Sequence, residues 1–266
     1  CLVGSEMCIR DRHVIMMRRI LFVLISIIIS VQCLAVTFHN ETLHYVISYK
    51  WGLIHKDAGD ATLSLRQRGQ HYDLMLAGKT RPWADKIYMT RDTLLGTINK
   101  VDLSPVSYTK ITHEKDHHDR TEISYTRFRG VTKGETVKYK TRNGKTTVKR
   151  HKITGTGPVF DMLSIFYYLR TLDYDRLTEK HYVYKATVFS GSRSETVTIR
   201  CEGRKKIKLR NKQTREAYHI KFRFTTGGGT KSSDDIDTWI STDSQHIPLY
   251  LVGKLPVGEV RAYYVN

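Results

Sequence analysis

Residues 136–153 read TVKYKTRNGKTTVKRHKI, two polar and β-branched runs on either side of an Asn-Gly pair. Asn143 and Gly144 are residue types that tolerate positive φ at both central positions of a two-residue turn, so this dipeptide is a strong short-range signal for a β-hairpin. Threonine, valine and tyrosine in the flanking runs favour strands. The segment therefore predicts two antiparallel strands joined by a tight turn.

The same period of two recurs nearer the N-terminus. Apolar and polar residues alternate over residues 43–49, 61–65 and 72–76, and Arg-Gly-Gln at 68–70 separates two of these runs. Alternation over four to eight residues indicates half-buried strands, and about a dozen such segments can be counted along the chain. A polar loop is expected at 225–235, around three consecutive glycines.

Residues 161–169 (DMLSIFYYL) break this period. Met162, Ile165, Phe166 and Leu169 follow helical spacing, and Asp161 is available as an N-cap. Because apolar residues also cover the other side, the helix should be buried on most faces. The expected fold is mostly β: an antiparallel curled sheet or half-barrel, with one helix buried in the concavity or capping an open end.

The N-terminal segment has the composition of processing signals. Residues 1–15 show no helix, strand or targeting pattern and are interpreted as a translated sequencing-adapter artefact. Residues 16–35 are interpreted as a signal peptide, with Arg18 and Arg19 preceding a short apolar run and a cleavage site after Ala35. The alternatives are a membrane anchor, for which the run is short, and a lipoprotein anchor on Cys33.

Residues 36–266 are then expected to form a single β domain without a transmembrane segment, located in the periplasm or associated with the outer membrane. Cys201 is the only cysteine in this range, so no intrachain disulfide is expected. The whole chain carries a formal net charge of +18. For an exported protein this charge favours lipid headgroups, lipopolysaccharide or acidic glycans as partners, or an outer-membrane protein, over nucleic acid.

Three places in the sequence resemble the exported bacterial family known as domain of unknown function 3108. They are Tyr45, Trp51, Gly52, Gly59 and Ala61; residues 161–164 with 168–170; and residues 239–243 with Ile247, Pro248 and Gly258. The resemblance implies a half-barrel of antiparallel strands capped by a helix. It implies no known activity and no catalytic residues.

Residues 113–117 (HEKDH) match the HExxH pattern of zinc proteases. That chemistry needs the motif on a helix, with both histidines on one face, whereas the flanking residues here alternate as strands. The motif is therefore expected on the turn of a hairpin. A metal-dependent hydrolase remains the alternative hypothesis, and its weak candidate ligands are His113, His117, His118 and Asp119.

The candidate ligand-binding residues lie at the predicted helix and near the C-terminus: Arg170, Tyr167, Tyr168 and Asp243. Arg170 is expected either to pair with Asp173 or Asp175, or to present its charge to a ligand in the concavity. Ser164, Asp243 and His246 supply the residue types of a catalytic triad, but no nucleophile elbow surrounds Ser164. No cofactor motif is present. The sequence thus favours a non-catalytic envelope protein that binds a ligand or partner, with a structural assembly factor as a further alternative.

Overall fold

The computed structural model describes residues 37–114, 117–179, 181–226, 235–255 and 257–265. Residues 1–15 and the predicted signal peptide at 16–35 lie outside this range. The strands are β1 Glu41–Trp51, β2 Ile54–Arg68, β3 His71–Thr80, β4 Arg91–Asn99, β5 Pro105–Glu114, β6 His117–Phe128, β7 Val131–Arg142, β8 Lys145–Thr156, β9 Val159–Asp161, β10 Val183–Ser190, β11 Arg193–Lys208, β12 Thr214–Thr226, β13 Ile236–Ser241, β14 Pro248–Lys254 and β15 Glu259–Val265. The helices are α1 Pro82–Tyr88, α2 Ser164–Leu169 and α3 Tyr174–Glu179.

The fifteen strands form one sheet in the order β8-β7-β6-β5-β4-β3-β2-β1-β15-β14-β13-β12-β11-β10-β9. Neighbouring strands of the sheet are antiparallel, except that β9 runs parallel to β10. The first and last strands lie side by side in the middle of the sheet, with Tyr45 of β1 opposite Tyr264 of β15. The two edges, β8 and β9, are consecutive in the chain.

The predicted antiparallel β fold is confirmed, but the predicted half-barrel is wrong, because the sheet curls into a nearly closed barrel. Strand twist accumulates across a sheet, and sheets of more than ~10 strands tend to curl or split. Side chains bridge the remaining seam. Thr136 Oγ1 of β7 donates to the carbonyl of Gly191 at 2.8 Å, and Lys138 Nζ lies 3.0 Å from Ser192 Oγ.

The local hairpin predictions are confirmed. Arg142 pairs with Lys145, and the intervening Asn143 and Gly144 have φ values of 50° and 74°. The alternating rows at 43–49, 61–65 and 72–76 lie in β1, β2 and β3. In the predicted loop at 225–235, β12 ends at Thr226 and residues 227–234 lie outside the described range.

A helix forms where the sequence changes from alternating to helical spacing, although it begins at Ser164 and not at residue 161 as expected. Asp161 ends β9, and its Oδ1 accepts hydrogen bonds from the backbone N–H groups of Leu163 and Ser164 at 2.8 and 2.7 Å. It therefore forms a turn before α2 and is not the N-cap. The helix lies inside the barrel: Leu163 packs near Gly96 of β4, and Phe166 contacts Phe222 of β12 edge-on.

The pairing expected for Arg170 with Asp173 or Asp175 is wrong. Its guanidinium is buried and binds both carboxylate oxygens of Glu41 on β1, while Nε donates to the carbonyl of Gln245 at 3.0 Å. Asp175 instead pairs with Arg204. The partner was missed because Glu41 lies 129 positions away in the chain.

Candidate ligand-binding site

An apolar cavity of about 640 Å³ opens at one end of the barrel, on the core-facing side of the sheet. Ile47, Tyr49 and Trp51 continue the inward-facing row of β1, while Gly59 and Gly78 continue those of β2 and β3. Trp83, Ala84, Ile87 and Tyr88 of α1 form the opposite wall. The volume is within the range of small-molecule pockets.

Two strand glycines shape the cavity in different ways. A Cβ atom at Gly78 would have no neighbour within 4 Å, so its missing side chain leaves space that no other residue fills. A Cβ at Gly59 would lie 2.7 Å from the Lys79 carbonyl oxygen, so this position needs glycine for the close approach of β3. Glycine in a strand interior often marks such a site.

Helix α1 is held against the sheet by polar contacts at its first turn. Pro82 occupies the start of the helix, where a missing N–H costs nothing. Arg81, just before it, binds both carboxylate oxygens of Asp60, and Trp83 Nε1 donates to the Asp57 carbonyl at 2.7 Å. These contacts leave the apolar side chains of the helix to line the cavity.

The cavity mouth is surrounded by exposed apolar side chains, which we call the apolar rim. They come from the β1–β2 turn, from α1 and from the β14–β15 turn. The rim consists of Trp51, Leu53, Ile54, Ile87, Tyr88, Leu255 and Val257, of which Leu53 is fully exposed and Trp51 is 56% exposed. An exposed apolar cluster of this kind commonly marks an interaction site.

Charged groups lie around this apolar surface. Lys56 Nζ stands 4.4 Å from the centre of the Trp83 ring, and Lys79 lines the cavity. Burial raises the pKa of Asp92, which also lines the cavity, and its Oδ1 has no hydrogen-bond partner among the described residues. The Tyr88 hydroxyl donates to the Glu114 carboxylate, and this hydrogen bond raises the pKa of Tyr88.

The residues predicted to bind a ligand lie away from this cavity. Tyr167 is fully buried, with its ring edge-on to Phe38 and 5.4 Å from the Arg170 guanidinium. The buried Arg170 is occupied by Glu41, so this arrangement favours a structural role for both residues. Burial raises the pKa of Tyr167, and the nearby Glu41 charge adds to the effect.

Tyr168 and Asp243 contact other residues, and they lie in different parts of the structure. The Tyr168 hydroxyl is 2.7 Å from that of Tyr184, and its ring packs against Phe160. Asp243 is exposed in the turn after β13, where it accepts hydrogen bonds from Ser241 Oγ and from the Gln245 N–H. The four predicted residues therefore do not form one site.

The strands predicted on either side of the HExxH segment are confirmed: His113 and Glu114 belong to β5 and His117 begins β6, while residues 115 and 116 lie outside the described range. His113, the residue before the last of β5, lies opposite His118 of β6, with ring centres 4.6 Å apart, and Asp119 pairs with Arg142. His117 lies opposite Glu114. Within the described residues, which exclude 115 and 116, no group of three or more histidine, cysteine or acidic side chains is arranged to hold a metal.

The triad candidates also have separate surroundings. Ser164 Oγ accepts a hydrogen bond from the Asp161 N–H, and His246 Nδ1 lies 2.8 Å from the Arg170 carbonyl oxygen. Asp243 is engaged by Ser241. Ser164, Asp243 and His246 therefore do not form a catalytic triad in this structure.

The sequence reading missed the cavity and α1. The signals available were Pro82 at the start of a seven-residue segment that contains Trp83, Ile87 and Tyr88, and glycines within two predicted strands. A seven-residue helix is too short for a clear 3.6-residue period, so its contribution to a site was not visible.

Comparison with known proteins places the chain in context. The profile of the family described as "Protein of unknown function (DUF3108)" matches residues 44–265. No curated protein matches. The chain is similar to the crystal structure of a beta-barrel-like protein of domain of unknown function DUF1849 from Brucella abortus, with a TM-score of 0.59 and 11% identity, over 87% of this chain and 98% of the other. This similarity supports the barrel fold alone.

Among the described residues, no helix has the length and apolar character needed to cross a bilayer.

Proposed function

The chain belongs to the DUF3108 family, and from this premise we propose that it is an exported envelope protein that binds an amphipathic, anionic ligand without transforming it. The observation that carries the proposal is the apolar cavity of about 640 Å³ between α1 and the core-facing side of β1–β3. Removing an acyl chain from water into such a cavity is favourable by ~0.8 kcal/mol for each buried methylene.

The polarity of the surroundings indicates where each end of the ligand would lie. Lys56, Lys86 and Lys254 are exposed on the elements that form the mouth. An anionic headgroup at the mouth would therefore meet ammonium groups while its chain occupies the apolar interior. The apolar rim would shield the part of the chain that crosses the opening.

Most polar groups of the cavity wall are already committed to the fold, which favours binding over catalysis. Ser48 Oγ donates to Asp57 at 2.6 Å, and Asp60 is held by Arg81. Thr80 Oγ1 donates to Asp85.

Binding is tested with the fatty acid cis-parinarate, whose fluorescence rises in an apolar site. We expect saturable binding with one site per chain and displacement by oleate. Gly78→Leu should weaken binding at least ~10-fold, because its side chain would enter the space that is open beside Gly78. Ala77→Leu, which adds the same side chain to the opposite face of β3, is the matched control and should bind as the wild type does.

Two results would contradict the proposal: no saturable binding by the wild type, or equal binding by Gly78→Leu and Ala77→Leu. The role of the lysines is tested separately with the neutral ester of the same acid, which should bind more weakly than oleate. Export is tested by mass spectrometry of a periplasmic fraction, in which the chain is expected to begin at Val36. Retention of residues 20–35 would contradict export with cleavage.

A further inference from the structure

The apolar rim is formed by three neighbouring segments at one end of the barrel. The β1–β2 and β14–β15 turns lie on either side of the end of β1, and the Tyr49 hydroxyl of β1 donates to the Val257 carbonyl in the second turn at 2.7 Å. Helix α1 adjoins the start of β2, where Lys56 Nζ lies over the Trp83 ring. Half of the large apolar side chains that are exposed in the described part of the chain belong to this rim. Such a concentration indicates a surface that contacts a partner.

The charges beside the rim favour a negatively charged partner. Four carboxylates of α1 and of the adjoining strand ends are each paired with an arginine. By contrast, Lys86 and Lys254 are exposed and have no ion-pair partner within the described ranges of the chain. Their ammonium groups are therefore available to an anionic surface. The four pairs are Asp57–Arg210, Asp60–Arg81, Asp85–Arg91 and Glu259–Arg261.

The side-chain types of the rim match the boundary region of a lipid bilayer. Tryptophan and tyrosine prefer the level of the headgroups, where Trp51 and Tyr88 could each place an apolar ring and a polar atom. Leu53 is fully exposed at the tip of its turn and has the length to reach the acyl chains. Lysines near such a surface are attracted to anionic headgroups.

Other partners fit this surface less well. Two copies of the chain meeting rim to rim about a two-fold axis would bring the same lysines close to one another, and like charges in an interface are unfavourable. A folded protein would need a separate recess for the side chains of each of the three segments. Fluid lipid adapts to all of them at once.

We infer that the apolar rim docks the barrel on the surface of an anionic lipid bilayer. Trp51 and Leu53 lie just below the headgroups, and Lys86 and Lys254 lie among the lipid phosphates. The cavity then opens onto the membrane, so an amphipathic ligand can pass between the bilayer and the cavity without crossing water. This route rests on the proposed function, whereas the docking itself does not.

Docking is tested with vesicles of phosphatidylglycerol and a phosphatidylcholine whose brominated acyl chains quench tryptophan within the bilayer. Tryptophan occurs only at positions 51, 83 and 239, so the apolar run at 20–31 does not contribute to the signal. We expect quenching that saturates with lipid and is weaker when phosphatidylglycerol is omitted. Trp51→Phe should remove most of the quenching, while flotation shows that the chain still binds the vesicles.

The apolar contribution is tested with Leu53→Ser/Val257→Ser. The lipid concentration that gives half of the maximal quenching should rise at least ~10-fold, because two inserted side chains are lost. Val101→Ser/Phe128→Ser is the matched control. These two side chains are also exposed, but they lie at the β4–β5 and β6–β7 connections at the other end of the barrel, so this variant should dock as the wild type does.

The electrostatic contribution is tested with Lys86→Gln/Lys254→Gln. This variant should dock more weakly than the wild type, and added salt should weaken its docking less. Lys133→Gln/Lys185→Gln has the same change in charge. Both of these lysines are exposed on β7 and β10, strands that do not contribute to the rim, so docking should be unchanged. Circular dichroism of each variant establishes that it is folded.

Three results would overturn the inference. They are an absence of Trp51 quenching by the anionic vesicles, equal weakening by the two double serine variants, and a dimer in solution that only Leu53→Ser/Val257→Ser abolishes. The last would assign the rim to a second copy of the chain.

Ligand binding is judged separately with Gly78→Leu, which should lose cis-parinarate but dock normally. Docking by a wild type that binds no cis-parinarate would reject the proposed function and support the inference. Binding of cis-parinarate without docking would do the reverse.

Discussion

The Asp57 carboxylate and the Arg210 guanidinium form a two-point ion pair, with both contacts at 2.9 Å, although 153 positions separate the two residues. The same carboxylate accepts a hydrogen bond from Ser48 Oγ at 2.6 Å and lies 3.3 Å from Arg81 Nη1. Partial burial is the largest single influence on the pKa of Asp57 and raises it, but the hydrogen bonds from Arg210 and Ser48 and the charges of Arg210 and Arg81 together lower this pKa. One side chain thus joins the end of the β11–β12 hairpin to Arg81, which precedes the helix beside the apolar cavity.

We predict that Asp57→Asn loosens the end of the β11–β12 hairpin, because an amide cannot accept both guanidinium hydrogen bonds. Partly exposed ion pairs contribute only ~0.2–1 kcal/mol, so global stability should change little. Limited trypsin digestion should nevertheless cut at 205–212 faster than in the wild type. Asp60→Asn is the control, because Asp60 binds Arg81 and not Arg210. Equal cutting of all three proteins would show that the ion pair does not hold the hairpin.

Breaking the pair between Glu41 and Arg170 should be far more costly. The Arg170 side chain is 1% exposed and that of Glu41 is 15% exposed. Glu41→Gln would leave a buried guanidinium without its counter-charge, so we predict a loss of ~3–5 kcal/mol in the free energy of unfolding, measured with urea.

The double variant Glu41→Gln/Arg170→Met is the informative comparison for this pair. Removing both charges avoids the unpaired buried cation, so the double variant should be more stable than Glu41→Gln alone. If the double variant is instead less stable by the sum of the two single effects, the two side chains do not interact.

Asp161 should make stability depend on pH. Burial raises its pKa to about 6, against an ordinary value of 3.8. Between these two values the folded state holds a proton that the unfolded state has released, so the free energy of unfolding falls as pH rises through this window and levels off above it. The total change from this group is ~3 kcal/mol.

Asp161→Asn removes this titration and keeps an oxygen able to accept from Leu163 and Ser164. The difference in unfolding free energy, wild type minus variant, should therefore decrease from pH ~4 to pH ~6.5 and be constant above. Urea midpoints measured across this range check the sign. A difference that does not change with pH would mean that Asp161 titrates normally.

The seam of the barrel should be sensitive to a single added methyl group. A Cβ at Gly134 of β7 would lie 2.8 Å from Phe189 Cδ2, so Gly134→Ala should cost ~1–3 kcal/mol through overpacking. Gly96→Ala is the matched control, since its Cβ would find ordinary contacts no closer than 3.5 Å.

Relief of the clash tests this explanation. Phe189→Leu is destabilising alone, but in the Gly134→Ala background its cost should shrink, because the smaller side chain makes room for the methyl group. Additive costs measured by thermal unfolding would place the strain elsewhere.

Sequence reasoning succeeded where structure is determined by near neighbours. Asn143-Gly144 specifies its own turn geometry, and alternation specifies which side of a strand is buried. The change to helical spacing located α2, although Phe166, one of the residues at that spacing, is only half-buried while Tyr167 beside it is fully buried. In a helix that is apolar all round, spacing alone does not tell which face has the closer neighbours.

The remaining features depend on contacts that periodicity cannot report. Closure of the barrel is set by twist summed over many strands, and the Arg170–Glu41 pair joins opposite parts of the chain. The stacked rings of His219, Trp239, Tyr250 and Tyr263 were not anticipated, because they come from four strands whose register brings them into line. The apolar cavity does not contain the residues that the sequence favoured.

Because β1 pairs with β15 in the middle of the sheet, the protein can be divided into two fragments. Residues 37–156 and 159–265 are each an unbroken series of neighbouring strands, and the backbone hydrogen bonds that join them are those of the ladder from His44–Val265 to Lys50–Glu259. The single covalent link between the halves passes through residues 157 and 158, at the seam where β8 and β9 do not pair. Severing the chain there leaves every strand pairing intact, so the protein is a natural candidate for fragment complementation, with two separately produced halves reassembling along one ladder and α2 docking from the second half into the first.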